Sequence, residues 1–455
     1  MSKRNIILLI VTLSVIVAGA LIYFYFYQPK NQGSSTTGDT NFLANFLPFG
    51  KSKTVTPTET TKPVDISGYV PPAPETATET LLKKVSSFPI AGFGVFTKER
   101  FKDVPLDQTA STSTTSTEFV TTDSGPLPVT KKKVVVKPTT PPTEFVTALR
   151  YVAKDTGNVY ETFADKIDES KFSSTVIPKV YEAYFGNNGE SVIMRYLKDD
   201  NTIETFIGTL PKEYLGADDS SSNEIKGSFL PENITDLSMS PDNSKFFYLF
   251  NNVDNAIGTT YLLNNNSKIQ VFDSPFTEWL SSWTNNQMIT LTTKPSANVP
   301  GYMYFVNPDN KDFNKILGGI NGLTTLTSPD GKLVLYADNN LSLNIFDITK
   351  DTSYPLNIRT LPEKCVWTKT SDIVYCAVPN SIDDANYPDA WYQGQISFSD
   401  QIWQINVTNG NTSMLADPVS IAGEEIDGIK LTLDSNENYL FFVNKKDSFL
   451  WELIL

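Results

Sequence analysis

Histidine is absent from this sequence. With no imidazole to act as general base, Ser-His-Asp and Cys-His catalysis are excluded, and so are zinc sites of the histidine-containing kinds. Carboxylate pairs, tyrosine nucleophiles and calcium sites pass this filter. Positive charge is scarce as well: 37 lysines and arginines stand against 51 aspartates and glutamates, a formal net charge of −14. Nucleic acid needs a basic footprint that releases counterions, so it is not an expected partner. Cysteine occurs only as Cys365 and Cys376, with no other soft ligand to join them in holding a metal. No metal and no cofactor is expected.

The chain opens on one long apolar run, "MSKRNIILLIVTLSVIVAGALIYFYFYQPK". Residues 6–27, roughly 22 in number, suffice to cross a hydrocarbon layer of roughly 30 Å, which predicts a transmembrane helix. Lys3 and Arg4 precede it, so residues 1–5 are expected in the cytoplasm and everything after the helix outside. The alternative is a cleaved signal peptide with Ala18, Gly19 and Ala20 as its A-x-A site. The run continues past that site, which favours an uncleaved single-pass anchor in the cytoplasmic membrane. Both readings place the body outside it.

Residues 28–79 turn to Thr, Pro and Ser, as in "KTVTPTETTKPVDISGYVPPAPETATET". Such a segment cannot bury enough apolar surface to offset its ordering entropy, and it reads as a disordered stalk. A second low-complexity stretch, 98–143, contains "STSTTSTEF" and "KKKVVVKPTTPPT" and reads as a solvated insertion.

The remainder, 80–455, repeats itself. "ITDLSMSPDNSKFFYLFNN", "LTSPDGKLVLYA" and "IKLTLDSNENYLFFVNKK" each place a strand, a polar turn and a second strand of dense apolar residues in succession. Spacing of roughly 40–45 residues fits four-stranded propeller blades. A strand such as "KLVLYA" is apolar on both faces, as expected where blades cover it on both sides. The expected fold is therefore all-β: one β-propeller of seven four-stranded blades, with six as the alternative. The last unit is a strand short, and a ring should not leave a bare sheet edge. Residues 80–86 are expected to supply the outer strand of the last blade.

The turns "SPDG" at 328–331 and "SPDN" at 240–243 resemble those of TolB-like and other WD-type β-propellers. The resemblance implies the fold and says little of activity. The Trp-Asp dipeptide and the Asp-box of sialidase propellers are both missing. A sialidase-like cluster would need Arg150, Arg195 and Arg359 to converge.

Cys365 and Cys376 flank a tight turn symmetrically, so they are expected opposite each other and bridged in an oxidising exterior. The insertion "VPNSIDDANYPDAWYQGQISFSDQIW" lengthens the loop between the second and third strands of its blade. It holds Asp383, Asp384 and Asp389 beside Tyr387, Trp391 and Tyr392, a mixture suited to binding sugar or protein. The competing reading has Trp391 and Tyr392 folding back to plug the central channel.

With no recognisable catalytic set, the chain is expected not to be an enzyme. It reads as a membrane-anchored module that binds a protein or cell-envelope glycan. A glycan-active propeller hydrolase using carboxylate or tyrosine chemistry is one alternative. A structural part of an envelope assembly, such as a pilus or secretion machine, is the other.

Overall fold

The computed structural model describes residues 81–102, 141–213, 215, 223–232 and 234–455. The expected cytoplasmic N-terminus, transmembrane helix 6–27 and stalk 28–79 lie outside the described residues. Among the described residues no helix is long and apolar enough to cross a membrane.

The strands form seven four-stranded antiparallel sheets, the larger of the two expected counts. Blades 1 to 6 span 90–171, 180–229, 234–274, 279–321, 324–359 and 365–416, and blade 7 comprises 428–454 with Leu82–Lys84. Few helical residues interrupt this all-β pattern.

Dense apolar strands are buried twice over. In blade 3, Phe247 and Leu249 pack with Trp279, Trp283 and Ile289 of blade 4. Their neighbours in sequence, Phe246 and Tyr248, pack with Ile193 and Ile207 of blade 2. Successive side chains leave a strand on opposite faces, so both faces must be apolar when a blade stands on each side. Blade 7 repeats the arrangement, with Phe441 and Val443 against blade 1 and Leu440 and Phe442 against blade 6.

The turns are set by local chemistry. Gly331 N donates to Ser328 O at 2.8 Å, and Ser328 N donates to Leu333 O at 2.9 Å. Gly331 sits at φ 73°, where a residue with a Cβ is strained. Asn243, Ser371 and Glu437 occupy the same turn position at φ 53°, 64° and 57°. The Ser328 hydroxyl also donates to Asp330 Oδ1 at 2.6 Å, as Ser240 does to Asp242.

In blade 1 the strands Ile90–Phe101 and Thr143–Ala153 stay paired out to Phe101↔Thr143. Residues 98–101 and 143, assigned to the insertion by composition, are thus ladder residues. Arg100 holds the far end, donating to Glu144 and Asp165. In blade 7, Leu82–Lys84 pairs antiparallel with Leu450–Ile454, in the register Leu82↔Leu453 and Lys84↔Trp451. Leu82 is buried in the core shared with blade 6.

Candidate functional site in the central channel

The first strands of the blades surround the axis, and side chains from blades 2 to 7 line a cavity of about 710 Å³. Glu182, Asp236, Ser281 and Lys430 are each the third residue of such a strand, in Val180–Gly186, Ile234–Met239, Trp279–Asn285 and Gly428–Leu433. Repetition of the blade therefore brings two acids, a hydroxyl and an ammonium to one level of the channel. Glu363 joins them from the 3-10 turn Pro362–Lys364 that leads into blade 6.

Each acid is held differently. Glu182 accepts from Tyr184 OH at 2.7 Å and from Arg195 Nη1 at 2.5 Å. Enclosure by protein pushes its pKa up, but Lys430, Arg195 and these hydrogen bonds together outweigh it, so Glu182 lies below the usual range. Asp236 is pushed up to about 6, chiefly by enclosure, with the hydrogen bond from Ser281 N opposing and Glu182 adding to the rise. Glu363 is pushed up to about 7, again chiefly by enclosure. Its hydrogen bond from Tyr392 OH opposes the rise, while the charge of Asp236 adds to it.

On the other wall, hydroxyls of Ser281, Ser282, Thr292 and Thr325 face the same space. Thr292 and Thr325 bond to each other at 2.6 Å across the blade 4–5 boundary. Tyr184, Trp391 and Tyr392 add aromatic surface.

The insertion lies between strands Ile373–Pro379 and Asp400–Asn406, with the short helix Asp389–Tyr392 inside it. Trp391 is 4% exposed and Tyr387 2%; both pack with Leu341, Leu361 and Phe398. Trp391 Nε1 donates to Asp427 Oδ2 at 3.0 Å, and Ser397 Oγ and Phe398 N reach the same carboxylate. Asp427 is in turn paired with Lys364, which also bonds Asp400 at 2.7 Å; all three are fully buried. Asp389 accepts from Ala297 N of blade 4 at 2.6 Å, so the insertion reaches across to blades 4, 5 and 7.

Of the six insertion residues singled out from sequence, Trp391 and Tyr392 reach the channel cavity. Tyr387 donates to Asp383 O and lies inside the insertion's own core. Asp383 and Asp384 are exposed. Cys365 and Cys376 pair in register and are bonded, with Sγ atoms 2.11 Å apart. Arg150, Arg195 and Arg359 serve separate partners: Glu161, Glu182 and Asn340 O. Among the described residues no group of three or more acids or cysteines is arranged to hold a metal ion.

Glu182, Asp236 and Lys430 escape a reading by sequence because each is a lone charge in a short apolar strand, and Glu363 because it lies in the turn before one. The signal was present: aligning "VYEAYFG", "ITDLSM" and "GIKLTL" by blade position puts Glu, Asp and Lys in one column.

No protein-family profile and no curated protein matches the chain. Solved structures that resemble it include an oligogalacturonate lyase in complex with manganese, at 9% identity and TM-score 0.43, covering 68% of this chain and 85% of that one. An oligogalacturonate lyase from Vibrio parahaemolyticus, at 8% identity and TM-score 0.45, covers 68% and 86%. At these values the likeness carries no activity to this chain. Both of those proteins are enzymes, so a propeller of this kind does not by itself speak against activity, and the expectation that the chain is not an enzyme does not stand. The missing histidine excludes imidazole chemistry only, and the channel has carboxyls that titrate near neutrality.

Proposed function

We propose that the channel pocket is a carbohydrate-active site, with Glu363 as general acid and Asp236 as general base. The convergence of Glu182, Asp236 and Glu363 with Tyr184, Trp391 and Tyr392 on one cavity carries this reading. Sugars present C–H faces that pack on aromatic rings and hydroxyls that both give and take hydrogen bonds, matching the two walls. Glu363 keeps its proton near neutral pH and can pass it to a leaving glycosidic oxygen. Asp236, ionised at lower pH, can take a proton from an attacking water. Glu182 stays charged beside Arg195 and favours positive charge developing on the sugar ring.

In this reading Trp391 and Tyr392 form a wall of the site, while Tyr387 and Asp389 position the insertion that carries them. Asp383 and Asp384, on its exposed surface, would meet the distal units of a longer glycan. We place the propeller outside the cytoplasmic membrane on the 6–27 anchor, with a TolB-like ancestry suggested by its "SPDG" turns. The Cys365–Cys376 bond supports that location, since such bonds persist in oxidising compartments.

The test is turnover on a panel of cell-envelope and plant-wall glycans at pH 6–7. Glu363→Gln should lower kcat by at least about 100-fold, the usual contribution of a positioned acid, while the glycan still binds. Lack of turnover across the panel, or full activity in Glu363→Gln, refutes the acid–base assignment.

A further inference from the structure

We propose that the channel carries an anion subsite at Lys430, so that its glycan bears an acidic group. This rests on the carbohydrate reading above and narrows it to a substrate class.

The cations near the channel are satisfied in different ways. Lys294 pairs with Glu278 at 2.7 Å. Arg195, buried behind Glu182, is committed: Nη1 goes to Glu182, and Nη2 goes to Ile234 O at 2.8 Å. Lys430 differs. Its Nζ donates to the backbone oxygen Ala91 O at 3.2 Å, and among the described residues no carboxylate lies within ion-pair distance of it. It is exposed to the channel and lines the cavity.

No carboxylate around it is left free to pair with it at close range. Glu182 is the acid it feels, and both oxygens of Glu182 are already taken by Tyr184 and Arg195. Enclosure by protein, aided by the charges of Lys154 and Arg195 and opposed by that of Glu182, holds its pKa below the usual lysine value. The ring of Tyr184 lies 5.8 Å from Nζ and adds a weak attraction. An ammonium so placed gains from an incoming anion without first breaking an ion pair.

Lys430 of blade 7 stands near Glu182 of blade 2, which Arg195 already matches, while Asp236 lines the cavity from blade 3 and Glu363 from the turn before blade 6. A neutral sugar would leave Lys430 unmatched. A carboxylate or sulfate on the sugar would match it and keep its charge away from Asp236 and Glu363.

The experiment compares three probes of equal length by calorimetry at low salt. They are a glucuronate-bearing oligosaccharide, its carboxyl-reduced counterpart and a sulfated derivative of that counterpart. The full chain should bind at least one acidic probe about tenfold tighter than the reduced one, a difference of about 1.4 kcal/mol. Whichever acidic probe is preferred identifies the group. Lys430→Gln should bring the acidic-to-neutral ratio near one, and Lys430→Arg should restore much of it. Equal affinity for all three probes in the native chain overturns the subsite, as does a Lys430→Gln variant that keeps the preference. Should none of the three bind, the carbohydrate reading itself fails, and the subsite with it.

Discussion

Lys364 sits at the centre of a buried charge cluster. Its ammonium is fully buried between Asp400 and Asp427, and Asp427 gathers Trp391, Ser397 and Phe398 of the insertion. Removing the cation leaves two buried carboxylates facing each other. Lys364→Met should cost about 3–5 kcal/mol in urea denaturation, and adding Asp400→Asn and Asp427→Asn should recover a large part. No recovery would mean that packing, not charge, dominates there. Glu452 is the opposite case. It is fully buried with both oxygens unpartnered among the described residues, and burial pushes it up to about 7. A carboxyl that binds its proton more tightly when folded makes the fold lose stability as pH rises from the ordinary carboxylate range through about 7. Glu452→Gln should therefore stabilise the protein at pH 8 by on the order of 3 kcal/mol. Thermal unfolding at pH 4 should show little difference between the two.

At the level of strands, Leu82–Lys84 is short but closes the ring. Leu82→Asp would place a charge in the core beside Leu440 and Trp451. A loss of several kcal/mol is expected, since an unpaired buried charge is costly, and a fall in melting temperature would reveal it. The repeated strands were readable from sequence because two covered faces leave a plain mark: Phe246, Phe247, Tyr248 and Leu249 in one unbroken run. The blade 1 hairpin was readable only in part. Lys98, Glu99 and Arg100 look like loop by composition, and they stay in the ladder because neighbours across the strands neutralise Arg100. The channel acids were not read at all. A single charge per strand acquires meaning only when blades are superimposed, whereas the insertion announces itself by length. Trp391 and Tyr392 were found that way, although composition could not say that Trp391 would be held by a carboxylate 36 residues further on.

For the whole molecule, the raised pKa values of Asp236 and Glu363 predict a dependence on pH. Base and acid are both in their working forms between about 6 and about 7. Glycan turnover should follow a narrow bell centred there, and Glu182→Gln should shift it by removing a neighbouring negative charge from Asp236. A flat profile from pH 5 to 9 would count against the pair. The ring's seam has a further consequence for how the protein is made. Blade 7 joins strands from both ends of the described chain, so Leu82–Lys84 stays unpaired until residues 428–454 have been made. Contacts that span so much sequence form late and slowly. A prematurely terminated product would keep six blades' worth of wedges with no keystone, its flanking surfaces bare, and so be a natural target for proteolysis.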